Sequence, residues 1–193
     1  MNNSTLFAAL TCLAAGLATG AAAQDCTAVG DAYDLDEAAV NALYACIERQ
    51  MAQSYAAEGD AVGVAYRDWT VSSTRPAVAG AHDERFLQTF ANDIAAPEYL
   101  KFDEERGPMP VGSVLAKESF ALKDGKAKIG PLFIMTKLDE GGAPDAGNWR
   151  YDALQPNGKV MKISQSFCAD CHLGWDYRDS LAYPLEEVRL GAE

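Results

Sequence analysis

The residues best equipped for chemistry are Cys168-Ala169-Asp170-Cys171-His172. Cys-x-x-Cys-His is the attachment signature of a c-type haem. Its two thiols add across the two vinyl groups of a porphyrin, and the adjacent imidazole faces the iron as axial ligand. The vinyls lie on neighbouring pyrroles, so a short, turned segment has to hold the sulfurs apart. The expectation is one covalently bound haem c, anchored by Cys168 and Cys171, with His172 on the metal. Two other readings use the same side chains, half a zinc site and a dithiol redox pair. Zinc would need two more ligands, and outside the motif the chain offers only His82, Cys12, Cys26 and Cys46. A thioredoxin-like pair opens a helix within a βαβ pattern, and no such pattern surrounds position 168.

Export is expected from residues 6–23, an apolar stretch that ends in Ala21-Ala22-Ala23 before Gln24. A short apolar run closing on small residues is the pattern of a cleaved signal peptide, here residues 1–23. The segment before it, Met1-Asn2-Asn3-Ser4-Thr5, lacks Lys and Arg. A retained anchor is the alternative, but about eighteen residues is borderline for spanning a bilayer, and Gly16 and Gly20 favour cleavage. The expected location is the periplasm, with no membrane attachment after cleavage. In an oxidising compartment leftover cysteines tend to pair, so Cys26 and Cys46 form a candidate disulfide, with two buried free thiols as the alternative. The five cysteines then divide into one in the signal, two in the bridge and two on the haem.

Residues 24–193, about 170 of them, suit a single domain. The net charge of −12 argues against nucleic acid and anionic membrane surfaces as partners. It is compatible with a basic redox partner protein.

The elements that must position the motif can be read in outline. Val40, Leu43, Tyr44, Ile47, Met51 and Tyr55 recur at spacings of three and four, which predicts one amphipathic helix over about residues 34–58. Asp34 with Glu37 resembles a capping box, and Gly59 is a stop. A β-rich haem-binding region follows, from about residue 62 to 193. Residues 60–81 read as irregular, 86–92 as a strand, and 97–105 as a short helix closed by Gly107, Pro108 and Pro110. Strands are expected over 111–122, 127–138, 148–155 and 159–164. Lys123-Asp124-Gly125-Lys126 and Pro156-Asn157-Gly158 supply turns, and Gly130-Pro131 a break. The fold class is therefore α+β, a mainly antiparallel meander with an N-terminal helix and a short helix, and haem attached near the C-terminal end.

This pattern resembles the cytochrome P-460 family, which includes the cytochromes c′-beta. The resemblance is carried by Tyr66-Arg67-Asp68-Trp69, by His82 and the 86–92 strand, and by Gly112-Ser113-Val114-Leu115-Ala116-Lys117-Glu118. Gly130-Pro131-Leu132-Phe133, Gly147-Asn148-Trp149-Arg150-Tyr151 and the haem motif continue it. It implies haem held against an antiparallel sheet, and chemistry on small nitrogen species: hydroxylamine oxidation, or nitric oxide binding. The hydroxylamine-oxidising members carry an additional lysine cross-link to the haem, which the resemblance assigns to the helix before the Gly-Ser-Val strand. Lys101 is the lysine there, in a shifted register, and the preferred reading makes it a solvated helix residue.

What faces His172 across the iron decides the function. An open position binds a small ligand, and a filled one makes an electron carrier. His82 is a candidate distal group, although its Gly80-Ala81-His82-Asp83 setting reads as an exposed loop. Met109, Met135 and Met161 are candidate sulfur ligands, with Met135 better suited to packing. Phe133 is a candidate to crowd the distal side, and Glu118 and Asp152 are candidate distal carboxylates by strand location alone. The first expectation is a five-coordinate haem binding or transforming nitric oxide or hydroxylamine, a small-molecule ligand or substrate. The alternatives are a six-coordinate electron carrier and a haem sensor or scavenger without turnover. A homodimer is a candidate assembly.

Overall fold

The computed structural model describes residues 25–191; the expected signal peptide lies outside the described residues. Helix α1 runs Glu37–Tyr55. Asp36, not Asp34, caps it, its carboxylate accepting the Ala39 N–H at 2.8 Å. Asp34 instead ends a 3-10 turn, Ala32–Asp34. Val40, Leu43, Ile47, Met51 and Tyr55 are all buried, as the period predicts. The Sγ atoms of Cys26 and Cys46 are bonded, 2.02 Å apart, tying the start of the described chain to the middle of α1. Cross-linking a loop of this length raises the free energy of the denatured chain by about 3 kcal/mol.

Residues 60–81, expected to be irregular, hold short elements. They are helix α2, Ala61–Ala65, a 3-10 turn, Tyr66–Asp68, and strands β1, Thr70–Val71, and β2, Ala77–Ala79. Each is too short to leave a periodic signature. Gly63 in α2 is required sterically, since a Cβ there would stand 2.5 Å from the Tyr55 carbonyl oxygen. The remaining strands are β3, Arg85–Ala91, β4, Val114–Lys123, β5, Lys126–Ile129, β6, Leu132–Lys137, β7, Trp149–Leu154, and β8, Val160–Met161. They build one antiparallel sheet in the order β1-β3-β4-β6-β7-β8, with β2 on β3 and β5 on β4. Gly130-Pro131 separates β5 from β6, as expected. Gly130 sits so close to β4 that a Cβ would fall 2.4 Å from Ser119 Oγ. Helix α3 occupies only Ala96–Tyr99, and helix α4, Gln165–His172, carries the Cys-x-x-Cys-His motif. No helix among the described residues is long and apolar enough to cross a membrane.

Side chains alternate across a pleated sheet, and directly paired residues share a face. The register therefore sorts the sheet into two surfaces. Phe86 and Phe120 pair, and so do Phe90, Ala116 and Ile134; this face packs under α1 in one hydrophobic cluster. The other face carries Thr89-Lys117-Phe133-Ala153 as one row and Ala91-Leu115-Met135-Tyr151 as the next, followed by Lys137 opposite Trp149. Ala91, Leu115, Met135, Tyr151 and Trp149 form a second cluster with Ala169 of α4 and Leu181. The motif helix thus lies against the sheet face opposite α1.

Candidate functional site

Helix α4 is docked by its first residue. Gln165 accepts the Tyr151 N–H at 2.8 Å and donates to the Tyr151 carbonyl at 2.6 Å, so it reads the backbone of β7 with both ends of its amide. Ala169 is buried against the sheet, Cys168 is half-buried and Cys171 is exposed. Both thiols are free and lie three residues apart on the helix. His172 closes α4 and is buried beside the Tyr151 ring, with centroids 5.1 Å apart, and edge-on to Trp175.

Nδ1 of His172 lies 2.9 Å from the Ser180 carbonyl oxygen. A carbonyl can only accept, so Nδ1 carries the proton and Nε2 presents a bare lone pair. Burial and the positive charge of Lys117 hold the imidazole well below its usual range, near pH 4, which keeps that lone pair available. The carbonyl comes from an unusual turn. Asp179 and Ser180, neither of them glycine, have φ of +56° and +62°, a conformation costing about 1–2 kcal/mol per residue.

Lys117 and Phe133 form the next row of the same sheet face, near enough for the charge of Lys117 to reach His172. Lys117 makes no hydrogen bond or ion pair among the described residues, and burial drives its amine down to about 8. His82 belongs to the same neighbourhood. Its ring packs on Phe133 at 4.5 Å between centroids. Burial, followed by the charges of Lys117, His172 and Arg85, lowers it to about 3. His82 is therefore half-buried and not the exposed loop residue its flanking sequence suggested; the left-handed Asp83 and Glu84 turn the chain after it. Lys101 stays outside this group, half-exposed at the end of α3 and paired with Glu98 at 2.8 Å.

Two carboxylates expected from strand location do not face the site, because the pleat turns them away. Glu118 follows Lys117 and points to the α1 face. There it accepts from Tyr44 at 2.6 Å, from Tyr66, and from Arg67 at 2.9 Å. Asp152 follows Tyr151 and is held by Arg150 at 2.7 Å near the surface. Met109 and Met135 are buried in the apolar cluster. Met161 pairs with Ala153 at the sheet edge.

Sequence reasoning missed Lys117, yet a signal existed. A ten-residue strand, β4, carries Lys117-Glu118 at its centre; alternation requires one of the two charges on each buried face.

The donors fit a haem. A buried imidazole offers one free nitrogen, two free thiols stand beside it on the same helix, and the nearby Tyr151 Oη is buried without a hydrogen-bond partner among the described residues. The described residues contain no cluster of three or more His, Cys, Asp or Glu side chains arranged to hold a metal ion. An antiparallel sheet backed by one helix, with this motif on the opposite face, defines a haem-binding α+β domain. Comparison with protein families matches residues 64–181 to Cytochrome P460, and the chain belongs to that family. No curated protein matches the chain.

Proposed function

We propose that the protein is an exported, periplasmic mono-haem c-type cytochrome whose open iron position binds or transforms a small nitrogen species, nitric oxide or hydroxylamine. Cys168 and Cys171 are the thioether anchors and His172 is the axial ligand. When bound, the haem supplies an iron that takes the ligand and accepts electrons. The observation that carries the open-site reading is the wall formed by Phe133, with the His82 ring tilted against it, while Met109 and Met135 are held in packing. Phe133 limits the space to small ligands. Lys117 is the residue able to take a proton from a hydrogen-bearing ligand, since an amine lowered to about 8 is partly neutral near neutral pH.

A lysine cross-link of the kind the family resemblance implies would come from Lys117. Its amine is desolvated, unpaired and on the haem-side face, whereas Lys101 is exposed and engaged by Glu98. A second reading, a six-coordinate electron carrier, rests on His82, which lies near enough to His172 to feel its charge.

Optical and EPR spectra of the purified holoprotein separate these readings. High-spin ferric and ferrous haem is the expected result; low-spin haem in both states would sink the open site in favour of His82 ligation. The mass of the haem peptide after digestion is expected to include the two thioether links, and it reports any third link to the peptide containing Lys117. Turnover with hydroxylamine and an electron acceptor distinguishes an enzyme from a binder of nitric oxide.

A further inference from the structure

A buried ion pair lies behind the axial histidine. Lys137 and Asp179 are 5% and 10% exposed, and Nζ meets Oδ1 at 2.5 Å. Lys137 also donates to the Gly147 carbonyl at 2.9 Å and stands over the Trp149 ring, 5.0 Å from its centroid. The rest of Asp179 is equally committed. Oδ2 accepts the Met109 N–H at 2.7 Å, and its backbone carbonyl accepts Trp149 Nε1–H at 2.8 Å. The next residue is Ser180, whose carbonyl holds His172 Nδ1. Left-handed backbone at two successive non-glycine residues persists only where the surroundings over-determine it. Lys137, Trp149 and Met109 are those surroundings.

We propose that Lys137 and Asp179 are positioning residues for His172: the pair clamps the left-handed turn that keeps the Ser180 carbonyl on Nδ1. Held there, the carbonyl fixes the plane of the imidazole. It also draws on the Nδ1 proton, which makes Nε2 a stronger donor to iron. A stronger axial donor favours the ferric state, so the clamp lowers the reduction potential. The inference rests on the reading of His172 as axial ligand.

The test compares wild-type holoprotein with Asp179→Asn. Asparagine tolerates left-handed backbone and can still accept the Met109 N–H, but it withdraws the negative charge from Lys137. The ferrous iron–histidine stretching band in resonance Raman is expected to move to lower frequency. The one-electron equilibrium against a reference dye is expected to shift toward ferrous by about tenfold, equivalent to about 59 mV. Lys137→Arg, which keeps the charge and changes the reach, provides the same comparison should Asp179→Asn lose its fold. Glu104→Gln, at an exposed carboxylate that pairs with Arg178, is expected to change neither readout. A folded Asp179→Asn protein with a lowered melting temperature but the wild-type band and potential would reduce the pair to a purely structural role. Wild-type protein with no histidine-ligated iron would overturn the underlying reading first, and this inference with it.

Discussion

Replacing Cys168 and Cys171 together by alanine is expected to abolish haem retention under denaturing conditions and to leave the sheet folded. Neither thiol belongs to the deep core: Cys171 is exposed and Cys168 half-buried. The contacts that seat the helix, Gln165 on Tyr151 and Ala169 on the sheet, are untouched. Alanine is also the better helix former. Wild-type protein should keep its pigment through acid–acetone extraction and on a denaturing gel stained for haem, and the double variant should lose it completely. Far-UV circular dichroism should be unchanged in shape. Pigment that survives in the double variant would move the attachment to another side chain, with Lys117 the first to examine.

The largest loss of stability is expected from Glu118→Ala. Glu118 is 1% exposed and accepts from Tyr44, Tyr66 and Arg67 at once. Removing it strips an acceptor from three donors and leaves the Arg67 charge without its buried partner. Breaking a buried pair in this way costs about 3–5 kcal/mol. Arg67 is partly exposed and keeps Glu48 at 2.7 Å, so the lower end, about 3 kcal/mol, is expected from urea unfolding. Glu118→Gln should cost less, because the amide oxygen still accepts from a tyrosine. The pH dependence has a definite sign. Burial raises the Glu118 carboxyl above its ordinary value, only partly offset by Arg67 and the tyrosine hydroxyls. The folded state therefore holds this proton where the unfolded chain has released it. The resulting stability is complete below the ordinary glutamate pKa and is lost as pH rises through the raised folded value. Glu118→Gln should remove that slope; an unchanged slope would assign it to another group.

The parts of this protein legible in the sequence are those with a local cause. Five buried positions of α1 stand at helical spacing, so the helix is visible without tertiary context. The motif of α4 is visible because Cys168, Cys171 and His172 stand within five consecutive residues, at a spacing that needs no tertiary context to read. Strands β3 to β7 could be outlined because Asp124-Gly125 and Gly130-Pro131 punctuate them. Helix α3 was expected to reach residue 105 but ends at Tyr99, since Leu100 closes it and Phe102 is already left-handed. The location of His82 was not legible: its partner, Phe133, is distant in sequence and is brought to it only by the sheet. The roles of Glu118 and Asp152 turned on strand parity, which a shift of one residue reverses. The clamp on His172 joins residues from β6, β7 and the turn after α4, and no single stretch of sequence contains it.

On β4 the neighbours Lys117 and Glu118 serve opposite sides of one strand. The pleat works as a partition, with Lys117 on the face that carries α4 and Glu118 on the face under α1. A change such as Phe133→Ala therefore acts on the α4 side of the sheet without touching the packing under α1. That separation lets one side of the sheet be altered while the architecture stays constant.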